Sequence, residues 1–252
     1  MTRRRMTKSV LPIIILLVVV VWLFFDHRAG APGANNSSTT KPKAKPAATQ
    51  PAKQINQQQY SINQASSLWV VVNKGRVLPA SYVPASFGPQ GIRSDADAAL
   101  IKLLAAASKA GVGMKVASGY RSYSYQVSTY NGYVSRDGQA KADTYSARPG
   151  HSEHQTGLAA DLAPIDNRCT LDQCFGQTAE GKWLATNAHN YGFIIRYQKN
   201  TQNLTGYEYE PWHVRYVGTA LAAQLYKSGQ TLEQYFHLPI YTSYPKNSYQ
   251  LK

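Results

Sequence analysis

Ser152-Glu-His-Gln-Thr-Gly-Leu-Ala-Ala-Asp161 and, further along, Glu208-Tyr-Glu-Pro-Trp-His213 bring two histidines, an aspartate and a nearby spare glutamate into one short window of the chain. Zinc in a hydrolase takes neutral imidazoles and a carboxylate at three positions and keeps a fourth for water, whose pKa falls to about 7. His154, Asp161 and His213 supply that set, enough for one zinc ion per chain. His154 and Asp161 are seven positions apart, so this is not the helical i, i+4 pair of an HExxH motif. Gly157, Ala159 and Ala160 let the chain turn and pack closely between the two.

Water attacking a peptide bond also needs a base that later protonates the leaving amine. Glu210, three residues before His213 and next to Pro211, is placed to serve; Glu208 shares its face in an extended strand but lies further from the ligand. A developing oxyanion or a free carboxylate calls for a fixed cation, and Arg121 in Ser118-Gly-Tyr-Arg-Ser122 is the candidate. Arg148, Arg196 and Arg215 read as structural or rim residues. Trp212 reads as a pocket wall in reach of substrate, and His151 as a neighbour that lines the site without binding metal. His27, His189 and His237 take the ordinary reading of satisfied core or surface residues.

Around the window the chain alternates short apolar runs with helical spacing. Leu68–Leu78 reads as a strand, an Asn73-Lys-Gly turn and a return strand. Residues 94–110 predict a helix capped by Ser94 and stopped at Gly111. Residues 114–117 predict a strand that delivers Arg121, 124–135 a second helix, and 139–150 a loop over the site. Residues 181–191 and 217–228 predict helices, 192–197 and 208–216 strands, and the Tyr-rich end an irregular tail. Strands and helices mix without regular βαβ alternation, which predicts an α+β domain with a small antiparallel sheet and flanking helices.

Upstream, residues 10–25 (VLPIIILLVVVVWLFF) are uncharged and follow Arg3-Arg4-Arg5 and Lys8. This predicts a cytoplasmic N-terminus (1–9), a membrane anchor (10–25) with a cleaved secretory signal as the competing reading, and an extracytoplasmic remainder. Residues 26–66, rich in Ala, Pro, Asn, Ser, Thr, Gln and Lys, lack the apolar side chains of a core and read as a flexible stalk. The folded domain is expected over 67–240, with 241–252 as a tail. The formal net charge of +14 is misleading, because 12 of the 27 basic residues but 1 of the 13 acids precede Asp95. The folded part is nearly balanced, and scattered charge in a flank and a stalk is no nucleic-acid footprint. Cys169 and Cys174, in an oxidising compartment, are expected to pair; the rival reading makes them added zinc ligands.

Ser118-Gly-Tyr-Arg-Ser122 with Gln126, Arg148-Pro-Gly-His-Ser-Glu-His-Gln-Thr-Gly-Leu-Ala-Ala-Asp161 and Thr205-Gly-Tyr-Glu-Tyr-Glu-Pro-Trp-His-Val-Arg-Tyr-Val-Gly218 resemble the D-alanyl-D-alanine carboxypeptidases of the VanY type. The similarity runs from about Leu68 to about Phe236. It implies the D-Ala-D-Ala metallopeptidase fold of the lysostaphin group, with zinc on His154, Asp161 and His213 and Glu210 as general base. It also implies that Arg121 steadies the scissile carbonyl and that Gln126 and Ser152 contact the substrate terminus. His151 departs from the pattern, since similar proteins commonly carry Tyr there.

The expected activity is that of a membrane-tethered zinc D,D-carboxypeptidase acting outside the cell on peptidoglycan stem peptides or their lipid-linked precursor. A wall endopeptidase of the same fold is the enzymatic alternative, and a zinc-containing wall-binding module the non-catalytic one. The second of these needs a closed set of four ligands and leaves Glu210 without a purpose.

Overall fold

The computed structural model describes residues 60–252. The basic N-terminus, the apolar segment 10–25 and the stalk up to residue 59 lie outside the described residues. Among the described residues no helix is long and apolar enough to cross a membrane.

In chain order the elements are β1 (Arg76–Val77), α1 (Ser94–Lys109), β2 (Met114–Ser118), α2 (Tyr123–Asp137), α3 (Gln139–Tyr145), β3 (Ala159–Pro164), α4 (Ala179–Asn187), β4 (Phe193–Tyr197), α5 (Gln202–Thr205), β5 (Glu210–Tyr216), α6 (Thr219–Ser228), α7 (Leu232–Tyr235) and β6 (Tyr249–Gln250). The α+β class expected from the sequence is the one observed. Strands β2, β3, β5 and β4, in that order, form an antiparallel sheet. All six residues of the inner strand β3 are buried. Leu100, Leu103, Leu158, Leu162, Phe193 and Val214 fill one core cluster with Ala160 of this strand. Register does the rest of the positioning: Asp161 lies opposite Ser118 on one side and His213 on the other, and Glu210 opposite Tyr197.

Several local expectations are corrected. Residues 68–72 form no strand, although Val70, Val71 and Val72 are fully buried. Arginines take their carbonyls instead: Arg215 Nη2 donates to the oxygens of Leu68 (3.2 Å) and Val70 (2.6 Å), and Arg76 Nε to that of Val71 (2.9 Å). The tight turn does form, with Asn73 and Arg76 exchanging both peptide hydrogen bonds. The N-cap of α1 is Arg93, not Ser94, because Arg93 N is held by the Gly157 carbonyl at 2.8 Å. Part of the expected loop 139–150 is helix α3. Gly138, at φ 79°, breaks it from α2, and a buried Ala142 under an otherwise polar sequence gives one apolar contact line too narrow to read as periodicity.

Both domain edges move outward. Tyr60 packs on Trp69 at 4.6 Å and Ala65 is buried, so order begins before residue 67. The chain from 241 onward is no loose tail. β6 pairs in parallel with β1, Leu251 is 1 % exposed, and Lys252 exchanges peptide hydrogen bonds with Asn63 (3.0 Å) and Ala65 (2.6 Å). Gly75 makes room, since a Cβ there would lie 2.2 Å from the Tyr241 ring.

Under the sheet lies a dry set of four charges. Glu153 Oε1 accepts from Arg196 Nε (2.9 Å) and Arg215 Nη1 (2.7 Å), and Arg196 forks onto Glu233 at 3.0 and 2.6 Å. Their side chains are 0–1 % exposed. Glu233 also accepts from Asn73 Nδ2 at 3.0 Å, tying the first turn to α7. Burial alone would raise both carboxyls, but the guanidinia outweigh it and hold each below the ordinary 4.5. A carboxyl depressed on folding stabilises fully above its unfolded pKa and loses that contribution as pH falls toward the folded value. The urea midpoint of the chelator-treated protein is therefore expected to drop as pH is lowered from 4.5 toward 3, and an unchanged midpoint would contradict this network. Leu251→Ala is expected to cost about 2–5 kcal/mol in urea unfolding, the range for a buried Leu in a core, where a loose tail would cost nothing.

Candidate metal centre and active site

His154 sits in the one-turn helix Glu153–Thr156, which ends at Gly157 in the left-handed region (φ 68°). A side chain at Gly157 would press on Pro84 and Arg93 at 3.0–3.2 Å, so glycine is required both for the turn and for the packing. The turn hands the chain to β3, which carries Asp161 to the middle of the sheet beside His213 on β5. The Asp161 carboxylate then lies between the two imidazoles, with Oδ2 3.2 Å from His154 Nε2 and Oδ1 3.0 Å from His213 Nδ1. The rings meet edge to face at 5.0 Å.

The three ligand atoms lie within 4.8 Å of one another, and all three residues are buried. Donors bonded at about 2.0–2.1 Å in a tetrahedron sit roughly 3.3 Å apart, close to the two spacings above. His154 Nδ1 is bonded to the Gly119 carbonyl at 2.7 Å, which fixes the tautomer that leaves Nε2 bare. The donor set thus fits zinc with three protein ligands and one position facing the cavity. Electrostatics agree. Burial works against a charge on either imidazole or on Asp161, yet the imidazoles hold Asp161 far below the usual carboxylate range. Burial likewise disfavours charge on His213, but the carboxylates of Asp161 and Glu153, 3.0 and 3.5 Å from its two ring nitrogens, push it up to about 10.

Glu210 is buried with Oε2 3.7 Å from His213 Nδ1, and burial pushes its carboxyl up to about 8. Arg121 follows β2, with Nη1 on Gln126 Oε1 (2.9 Å), Nη2 on Ser118 Oγ (3.1 Å) and Nη2 also 3.9 Å from Asp161. Gln126 Nε2 donates in turn to the Ala147 carbonyl at 2.7 Å, so Gln126 orients the guanidinium. Arg121, Gln126, Ser152, Trp212 and Glu210 line one cavity of about 540 Å³ with the metal trio.

Glu208 is at the mouth, where it accepts from Lys141 Nζ and Thr144 Oγ1 at 2.8 Å and faces Gln173 Nε2 at 3.5 Å. It straps α3 to the loop closed by the Cys169–Cys174 disulfide (Cα–Cα 5.4 Å). With their sulfurs joined, the two cysteines are not metal ligands. Arg148 pairs with Asp143, and Arg196 and Arg215 are interior, as read from the sequence. His151 does not line the cavity. Its Nδ1 is bonded to the Asn73 carbonyl at 2.8 Å and its ring meets Tyr244 edge to face. The residue that the sequence reading passed over is Glu153, whose signal was an acid beside a ligand in a segment with no exposed face.

The family model for VanY, D-alanyl-D-alanine carboxypeptidase, matches residues 89–219. The chain is 42 % identical over 189 residues to the putative carboxypeptidase YodJ of Bacillus subtilis, covering 70 % of this chain and 69 % of that protein. Among solved structures, the LdcB LD-carboxypeptidase aligns with TM-score 0.64 at 42 % identity, covering 69 % of this chain and 87 % of its own. The vancomycin-resistance D,D-pentapeptidase VanY in complex with Zn(II) aligns with TM-score 0.58 at 34 % identity, covering 69 % and 99 %. A buried His-Asp-His trio, a raised glutamate and an oriented arginine at one cavity, in a chain with these relatives, identify a carboxypeptidase that belongs to the VanY D-alanyl-D-alanine carboxypeptidase family.

Proposed function

We propose that the protein is a zinc-dependent carboxypeptidase that works outside the cytoplasmic membrane and removes the C-terminal D-alanine from peptidoglycan stem peptides, with Glu210 as general base. The observation that carries the reading is the placement of the Glu210 carboxyl, buried and 3.7 Å from a ligand atom of the trio, on the cavity wall. A zinc ion held by His154, Asp161 and His213 would supply a Lewis acid for the scissile carbonyl and an acidified water.

The chain's own groups account for the remaining work. Glu210, on the cavity wall beside the trio, takes the proton of the attacking water and passes it to the amine of the departing D-alanine. Arg121, fixed by Gln126 and Ser118, presents a charge that does not depend on pH to an oxygen of the substrate. Ser152 and Trp212 border the same space and are placed to contact the terminal residue. His154, Asp161, Glu210 and His213 are buried at this cavity, and the lowered local dielectric strengthens each of these interactions.

The family and the zinc-bound D,D-pentapeptidase support D-Ala-D-Ala cleavage. A second reading, L,D-cleavage of a stem tetrapeptide, is favoured by the higher identity and TM-score of the LdcB LD-carboxypeptidase. Both release free D-alanine and differ only in the residue on the acyl side. The extracytoplasmic location and an anchor at 10–25 rest on the sequence pattern, and protease accessibility of the domain on intact protoplasts tests them.

Full chain purified in detergent and loaded with zinc is expected to release D-alanine from a muramyl pentapeptide or tetrapeptide, and the preferred substrate decides between the two readings. Glu210→Ala is expected to lower kcat by about 10²–10⁴-fold while still binding one zinc. Release from neither peptide, with cleavage of cross-linked wall instead, would establish the endopeptidase alternative. Removal of metal by a chelator is expected to abolish release and zinc to restore it; activity that persists without bound metal would overturn the mechanism.

A further inference from the structure

The two imidazoles of the trio are supported in different ways. His154 points Nε2 at Asp161 and gives Nδ1 to a neutral carbonyl. His213 is reversed, with Nδ1 at Asp161 and Nε2 turned into the interior. There it faces Glu153 Oε2 at 3.5 Å, long for a hydrogen bond, and neither atom has another partner. Both side chains are 0–4 % exposed, so neither atom faces bulk solvent.

The remaining contacts of Glu153 explain why that oxygen is free. Arg196 and Arg215 both donate to Oε1, which leaves Oε2 directed at His213. The two arginines also compensate the charge that a lone buried carboxylate could not carry. Arg196 is itself clamped by Glu233, and Arg215 by the carbonyls of Leu68 and Val70, so the carboxylate cannot swing away from the ring.

We propose that Glu153 is a positioning residue for the metal centre: its Oε2 accepts the Nε2–H of His213, fixing the tautomer that leaves Nδ1 bare for the metal. This rests on the reading that the trio holds a divalent cation. A buried N–H without an acceptor costs free energy, and the alternative tautomer would place the proton on the ligand atom itself. A carboxylate acceptor also makes the imidazole a more basic ligand than a carbonyl does. His213 is therefore the stronger donor of the pair, and the four buried charges that look purely structural serve the site.

Glu153→Gln tests this with little change of shape. The two guanidinia claim the single amide oxygen, which turns the NH₂ toward His213, donor against donor, and favours the wrong tautomer. Chelator competition is expected to show zinc affinity roughly 10–100-fold below wild type. Glu233→Gln removes the same charge from the same cluster without touching His213 and is expected to leave zinc affinity within about threefold while lowering the urea midpoint.

Equal losses in both variants, or no loss in Glu153→Gln, would overturn the proposal. If Glu153→Gln does not fold, ring ¹⁵N spectra of the zinc-loaded wild type decide. A protonated Nε2 with metal on Nδ1 of His213 is expected, and metal on Nε2 or an unprotonated Nε2 refutes it. Wild type that takes up no zinc in the same titration would instead defeat the proposed function, so the two failures are told apart.

Discussion

A carboxylate in the middle of a fully buried strand cannot stand alone, and the rest of this structure follows from how Asp161 is accommodated. Its neighbours along β3, Ala160 and Leu162, turn to the opposite face and are buried in the core. Its two oxygens are covered by imidazoles from two other segments, the Glu153–Thr156 turn and β5. That arrangement needs a glycine at 157, a register that sets Asp161 opposite His213, and a β2 that ends where Arg121 can approach.

Around this centre charge is arranged in layers. The cavity side carries groups tuned for exchange: a glutamate pushed toward neutrality and an arginine held by an amide. Behind the sheet, charges are paired without water and serve to join elements that share no strand pairing. Glu233 connects the Asn73 turn, β4 and α7, and Arg215 closes over the 68–70 segment in place of a strand. Interior pairs of this type add little net stability compared with apolar packing, but they are specific about geometry.

The site was largely legible in the sequence because its chemistry depends on residue type and spacing. His154, Asp161, His213 and Glu210 each have a chemically scarce side chain, and the structure brings them to one cavity. Helices α1, α2, α4 and α6 and strands β2, β4 and β5 were legible as well, since periodicity and glycine stops mark those elements, whereas β3, α3 and α5 carry no such pattern. What failed depended on distant partners. Val70–Val72 read as a strand because β-branched residues favour one, but buried arginines took their carbonyls. The Tyr-rich end read as a tail because its pairing with β1 spans most of the chain. His151 was drawn to the site by its neighbours in sequence, while its contacts lie with Asn73 and Tyr244. Glu153 was hidden by the same effect, since its meaning comes from two arginines more than forty residues away.

The parallel pairing of β1 with β6 has a mechanical side. Asn63 and Ala65, near the start of the described chain, are hydrogen-bonded to Lys252, and β6 leads back to β1. A load applied at Tyr60 is borne first by these few peptide hydrogen bonds and by the turn at Asn73. The ladder joining β3 to β5, which holds Asp161 against His213, belongs to a separate sheet. Fraying at this edge can therefore dissipate force before it reaches the strands that keep the ligands in register.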